Sequence, residues 1–264
     1  LRAGEKTPVA FTNINQEEIE KANLGQDLPY IISLSPSVVT TSDAGAGIGY
    51  TGLRIRGSDP TRINVTINGI PLNDSESQGV WWVNMPDFSS SVENIQIQRG
   101  VGTSTNGASF GASINIKTDA LNKDPYFITN NSIGSFATLK NNIKFGTGLL
   151  DNKFAFDGRL SRISSDGYID RAFSDLKSYY ASASYYSKNT SIDFINFSGY
   201  DKTYQSWWGT PESRLSNDIE GMKSYPLPLL ESTLPSELHD KFNTSPPATT
   251  PSRSPWYISP FISI

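Results

Sequence analysis

The sequence contains no cysteine and one histidine in 264 residues. The first absence removes thiolate nucleophiles, disulfide scaffolds, zinc–thiolate sites and iron–sulfur clusters. The second leaves His239, in a proline-rich stretch, without the partners that a metal or triad site needs. No stretch approaches the ~18–20 consecutive apolar residues of a membrane-spanning helix; the best is Leu28 to Leu34. Positive charge is also short, with 22 Lys+Arg against 26 Asp+Glu and a net charge of −4. Such a chain has no long-range attraction for phosphate backbones, so a nucleic-acid partner is not expected. The chain does not begin with Met or with a charged and then apolar leader, and its true start is expected to have been removed.

What is present changes along the chain. Of the 30 aromatic residues, 7 lie in 1–125 and 23 in 126–264, while 8 of the 16 prolines fall between Pro226 and Pro260. The first region is punctuated by glycine, the middle is aromatic, and the end is rich in Pro, Ser and Thr. In the first region, Asn15 with Glu18 three residues later predicts a capping box opening a two-turn helix that fades near Asn23-Leu24-Gly25. Short strands are expected at Leu53 to Arg56, Asn64 to Ile67, Val92 to Gln98 and Ser113 to Lys117, with Asn68-Gly69 as a hairpin turn. Together they describe a small α+β domain. The pieces GAGIG (Gly45 to Gly49) and GVGTS (Gly100 to Ser104) lack the nucleotide-binding spacing. The acidic pairs Asp43/Asp74 and Glu76/Asp87 lack a His or Cys partner and read as solvated loop carboxylates. No enzyme activity, catalytic residue, cofactor or metal ligand is expected.

The middle region has a period of two. Leu139, Ile143 and Phe145 share one parity and Lys140, Asn142 and Lys144 the other. Phe154, Phe156 and Leu160 oppose Asp157, Arg159 and Ser161; Tyr179, Ala181, Ala183 and Tyr185 oppose Ser178, Ser182 and Ser184. Between Phe194 and Ile195 the apolar parity switches, which predicts a bulge. Strands of about ten residues with one apolar and one strongly polar face suit a transmembrane β-barrel, whose outer face meets lipid. They equally suit a soluble antiparallel sandwich with the apolar face turned inward. The aromatic density favours the membrane.

The stretches DLPYIISLSPSVV (Asp27 to Val39), LRIRG (Leu53 to Gly57), VTINGIPLND (Val65 to Asp74) and SVENIQIQRGVGTSTNGASFGASINIKT (Ser91 to Thr118) resemble, in order and spacing, the plug domain of TonB-dependent outer-membrane receptors. WWGTPESRL (Trp207 to Leu215) resembles an external loop of the Bacteroidetes-type members. The resemblance implies an α+β plug domain over 1–120, followed over 121–264 by antiparallel transmembrane β-barrel strands and a Pro-rich external loop or irregular tail. After Met222, and over Ser245 to Pro260, the sequence shows neither strand alternation nor a helical stripe. The 139 residues from 126 to 264 hold five or six strands of a barrel of about 22. The barrel is therefore expected to be incomplete in this chain, as in a fragment truncated at both ends that does not transport alone.

The resemblance further implies a receptor of the Gram-negative outer membrane, in contact with its lipid, that imports a scarce small-molecule chelate using the TonB energy-coupling complex. The TonB box itself is expected to be missing, with Leu1 at its trailing edge. A ferric siderophore is the first expectation for the ligand. Cobalamin, another chelate or an oligosaccharide follows, and a soluble or surface-attached β-rich binding protein such as an adhesin is the alternative class. Arg56 and Arg99 match plug arginines that pair with acidic residues of the barrel wall; read alone, they also fit support of a turn through backbone carbonyls. Gly57, Gly69, Gly100 and Gly107 fit sharp turns or close backbone packing. In the loop after Asn68-Gly69, adjacent Trp81 and Trp82 with Asn84 are expected to bind ligand beside the Asp43 to Gly52 loop and its Tyr50. Packing of either Trp against the wall is the alternative.

Overall fold

The computed structural model of the chain describes residues 2–4, 6–100, 111–119, 122–169, 172–204, 212–223, 252–253 and 257–263. The readings on Gly107, on His239, on the first part of the 207–215 loop and on most of the Pro-rich end lie outside them.

Strand β1 (Ala10–Asn15) runs directly into helix α1 (Gln16–Ala22). The Asn15 side chain accepts from the Glu18 N–H at 3.0 Å, and the Glu18 carboxylate accepts from the Asn15 N–H at 2.8 Å. This reciprocal pair satisfies two groups that a first helical turn otherwise leaves free, so the capping box is formed. Asn15→Ala is expected to cost about 1 kcal/mol, read from the urea midpoint; an unchanged midpoint would show that the cap contributes nothing. Helix α2 (Leu28–Ile31) is shorter than its apolar run, and Leu34 at the end of that run is exposed.

The remaining strands of the first region are β2 (Val38–Ser42), β3 (Thr51–Ile55), β4 (Ile63–Ile67), β5 (Ile70–Pro71), β6 (Val92–Arg99) and β7 (Ala112–Thr118). β2 and β3 form a separate antiparallel pair, and the others form a sheet in the order β1-β6-β7-β4-β5. β4 runs parallel to β7, while the remaining neighbours are antiparallel. Asn68 and Gly69 both take positive φ, 50° and 88°, as the two-residue β4–β5 turn requires. Ile63, Val65, Ile67, Ile95, Ile97, Ile114 and Ile116 fill the core of this unit.

From residue 126 the architecture becomes a curtain of long antiparallel strands. These are β8 (Tyr126–Gly134), β9 (Thr138–Gly146), β10 (Phe154–Ser165), β11 (Ser174–Tyr186) and β12 (Ser191–Thr203). Three of them exceed the expected ten residues, with 12, 13 and 13. Two short helices follow, α3 (Glu212–Leu215) and α4 (Ile219–Lys223). Strands β13 (Ser252–Arg253) and β14 (Tyr257–Ser263) then add to the free edge of β12. The Pro-rich end, whose sequence shows no strand alternation, thus contributes strands at 252–253 and 257–263: such a strand pairs through backbone groups and needs no side-chain alternation. The order β13-β12-β11-β10-β9-β8 does not close, and among the described residues β8 has no second neighbour.

The curtain is inverted relative to a water-soluble sheet. Leu160 is 57% exposed, whereas Arg159 beside it is 2% exposed. Leu139, Ile143, Phe145, Phe154, Phe156, Ile192 and Phe194 are likewise exposed, while Lys140, Asn142 and Ser161 are buried against the first unit. The face turned away from the first unit is thus apolar and the face turned toward it polar, the opposite of a sheet that packs its apolar side inward.

The expected bulge at Phe194/Ile195 is not formed. β11 and β12 keep one register from Ser174↔Thr203 to Tyr186↔Ser191. The parity switch arises because Ile195 and Phe197 point inward onto the core of the first unit, where Phe197 meets Phe88 with ring centroids 5.0 Å apart. The register shift in the described sheets lies instead in the first unit, between Val92 and Asn94 of β6.

Candidate functional site

The loop between β2 and β3 and the turn at Trp82–Asn84 meet at one end of the wall. Thr41, Asp43, Tyr50, Thr51, Gly52, Trp81, Trp82 and Val83 line an open cavity of about 350 Å³, within the size range of small-molecule sites. Three of the four expected ligand residues, Tyr50, Trp81 and Trp82, are therefore brought together, and beside the expected loop. Their environments differ. Trp81 is 51% exposed and Trp82 5%, with Trp82 packed into the core cluster that contains Phe88 and Ile195. Asn84 does not line the cavity. Its carbonyl lies so close to β12 that a Cβ on Gly199 would sit 2.7 Å from it, so Asn84 belongs to the contact with the wall.

The wall backs this cavity. Ile48 and Val83 pack with Ile163 of β10 and Leu176 of β11, and Tyr50 rests on the same cluster. The carbonyl of Ala44 accepts from the N–H groups of Tyr168 (2.8 Å) and Ile169 (3.2 Å) in the β10–β11 connection. A Cβ on Gly45, whose φ is +70°, would touch the Tyr168 ring at 3.0 Å. Glycine is needed there for both the turn and the close approach.

Between the inner unit and the wall lies a group of ionic contacts that sequence reasoning placed elsewhere. Asp87, expected as a solvated loop carboxylate, is fully enclosed. Its Oδ1 meets Lys140 Nζ at 2.8 Å and accepts from Ser90 Oγ at 2.6 Å. Its Oδ2 accepts from Asn142 Nδ2 and Ser161 Oγ, both at 2.6 Å, with Arg159 Nη1 3.7 Å away. Burial pushes this carboxyl up, but the Arg159 and Lys140 charges and the hydroxyl donors outweigh it and hold the group at about 2. Asp119 pairs with Lys144 in the same sense; there burial dominates and raises the carboxyl despite the ammonium.

Over β8–β12 the inner unit contributes the carboxylates Asp87 and Asp119 and the wall contributes the cations Lys140, Lys144 and Arg159. Among the described residues, Arg56 and Arg99 make no ion pair with a wall carboxylate. Arg99 donates to Thr12 Oγ1 at 2.6 Å within its own unit. Arg56 has a φ of 51° and lies over Gly100, where a Cβ would stand 2.9 Å from its Nη1. Burial and the neighbouring Arg56 charge lower the Arg99 guanidinium.

The family model described as TonB-dependent Receptor Plug Domain matches residues 3–113. No curated protein sequence matches the chain. Among solved structures, the chain resembles the ferric yersiniabactin uptake receptor FyuA of Yersinia pestis, with 14% identity and a TM-score of 0.63 over 83% of this chain and 35% of that one. It also resembles the pyoverdine outer-membrane receptor FpvA of Pseudomonas aeruginosa PAO1, with 13% identity and a TM-score of 0.64 over 77% of this chain and 29% of that one. For BauA, the ferric preacinetobactin receptor of Acinetobacter baumannii, the values are 16% and 0.62 over 75% and 29%. At these identities the likeness establishes the fold. The chain spans about a third of the length of these receptors.

Proposed function

Given that residues 3–113 are a TonB-dependent receptor plug domain, we propose that the chain is the plug and first wall strands of an outer-membrane receptor. That receptor binds a ferric siderophore outside the cell and imports it with energy from a TonB-type coupling complex in the periplasm. The observation that carries this reading is the cavity of Tyr50, Trp81 and Trp82, which sits on the plug beside the β10–β11 connection. Flat aromatic walls with one carboxylate, Asp43, suit a compact chelate that presents ring faces and polar edges. Among the solved receptors of similar fold, FyuA is a ferric yersiniabactin uptake receptor, BauA a ferric preacinetobactin receptor and FpvA a pyoverdine receptor, which supports the ligand class. The exposed apolar rows of β9, β10 and β12 support residence in lipid and disfavour a soluble adhesin.

The two tryptophans separate binding from folding. Trp81→Ala is expected to weaken binding of the cognate iron-loaded chelate at least about tenfold, equal to about 1.4 kcal/mol, with unfolding unchanged. Trp82→Ala is expected to destabilise the plug by about 3–5 kcal/mol. Equilibrium binding of iron-loaded chelates and of cobalamin, with uptake in a deletion strain carrying the chain within an otherwise complete receptor, tests the assignment. Uptake of cobalamin alone would replace the siderophore, and unchanged affinity in the Trp81 variant would remove the cavity from the binding site.

A further inference from the structure

Behind the cavity lies a carboxyl group that neither the binding surface nor the plug–wall contacts use. Asp27 immediately precedes α2, and its side chain does not cap that helix. It reaches across to the cavity loop, where Thr51 Oγ1 donates to Oδ2 at 2.8 Å and the Gly49 N–H faces the same carboxyl. Its own N–H donates to the carbonyl of Gly47 at 2.9 Å. Three residues of the segment 43–52 therefore hang on one residue, and that segment carries Asp43, Tyr50 and Thr51 into the cavity. Asp27 is 4% exposed, and its Oδ1 is buried without a hydrogen-bond partner.

We propose that Asp27 is a positioning residue for the ligand cavity: in its protonated form it holds the 43–52 loop closed, and loss of the proton loosens that loop. The groups facing it on the loop, the Thr51 hydroxyl and the Gly49 N–H, are neutral. Of the titratable side chains nearby, Asp43 and Tyr50 lie on the loop, Tyr30 stands against Gly47, Tyr168 against Gly45 and Lys140 of β9 against Gly25, with the Lys140 ammonium engaged by Asp87. No cation is among the influences on its ionisation, and burial raises the carboxyl to about 7 against the two hydrogen bonds that lower it. A carboxylate with an unpartnered buried oxygen is costly to leave dry. Asp27 is buried beneath the loop, which packs tightly there: a Cβ on Gly47 would stand 2.9 Å from the Tyr30 ring and one on Gly49 2.8 Å from Ser174 Oγ, so hydrating the carboxylate calls for the loop to lift.

The sign follows from the raised value. Below the ordinary carboxylate value of 3.8 the group is protonated whether folded or unfolded; from there to about 7 the folded chain keeps a proton that the unfolded chain has lost. Its contribution to stability therefore falls as pH rises through that window. The proposal rests on the cavity being the ligand site, so its test is read without ligand. Backbone amide exchange over 43–52 is followed in the full chain in detergent, with rates corrected for their intrinsic pH dependence. Protection is expected to fall about tenfold between pH 6 and 8, with β6 and β7 unchanged. Asp27→Asn, which keeps an acceptor for Thr51 but cannot ionise, is expected to abolish the transition. Thr51→Val, which leaves the carboxyl in place without its hydroxyl donor, is expected to move the midpoint to higher pH. A flat wild-type profile, a transition that survives in Asp27→Asn, or an unmoved midpoint in Thr51→Val would each overturn the proposal.

Discussion

Asp87→Ala is expected to lower the unfolding free energy of the chain in detergent by about 3–5 kcal/mol. The size follows from what is left behind. Lys140 and Arg159 are 3% and 2% exposed at their side chains and would remain as cations without the carboxylate between them. Asn142 and Ser161 would lose the acceptor they share. Lys140→Met alone is expected to cost less, since Arg159, Asn142, Ser161 and Ser90 still surround the anion. In the double variant Asp87→Ala/Lys140→Met the losses are expected to be less than additive, by about 0.5–3 kcal/mol. Acid adds a second reading of the same group. Its value is lowered from 3.8 to about 2, so its contribution is complete above 3.8 and disappears as pH falls from there to about 2. That loss is on the order of 2 kcal/mol, and an Asp87→Asn variant should lack it. Additive losses, or an acid limb unchanged in Asp87→Asn, would show that Asp87 does not anchor the plug to the wall.

The same residue shows where the sequence stops being readable. In the linear chain Asp87 sits between a proline and a phenylalanine in a loop, which are the surroundings of a solvated acid. Its partners lie on β9 and β10, 50 to 75 residues away, and only the barrel geometry brings Lys140, Asn142, Arg159 and Ser161 to one spot. A signal was nonetheless available. The polar parity of these two strands carries Lys140, Lys144 and Arg159 against the single Asp157, and an enclosed face with surplus cations needs anions from whatever fills it. The parity switch in β12 has the same origin. Ile195 and Phe197 face inward because the plug, and not water, occupies that side. The alternation recorded this correctly, and a rule that allows one apolar face per strand misread it as a bulge.

Local chemistry was more legible. The capping box of Asn15 and Glu18 and the Asn68-Gly69 turn are set by neighbouring atoms and form where expected. β8 was not foreseen, because Phe127, Ile128 and Ile133 fall on both parities and most of the strand is exposed on both faces at the edge of the wall. For the cavity, the adjacency of Trp81 and Trp82 identified the place. Their division into one exposed and one core side chain depends on the turn at Trp82–Asn84, which the sequence does not signal.

The outer face gives the second large effect. Along β10 the outward residues are Phe154, Phe156, Gly158 and Leu160, followed by Arg162, whose guanidinium pairs with Asp175 of β11 at 3.0 Å in an exposed position. The apolar band thus runs about 20 Å along the strand and ends where outward charges begin, as it does on β11 between Tyr179 and Lys177. Leu160→Arg puts a charge inside that band and is expected to destabilise the protein in phospholipid bilayers by about 2–4 kcal/mol. Ser164→Arg, on the same face four residues further along and beyond the Arg162–Asp175 pair, is expected to cost no more than about 1 kcal/mol. The contrast is the informative quantity, because position 160 is already more than half exposed. If the face met water, an arginine there would be a surface substitution worth no more than about 0.5 kcal/mol in either direction. Unfolding from bilayers of the two variants and the parent measures that difference, and equal stability of Leu160→Arg and Ser164→Arg would mean that the outward apolar rows do not face lipid.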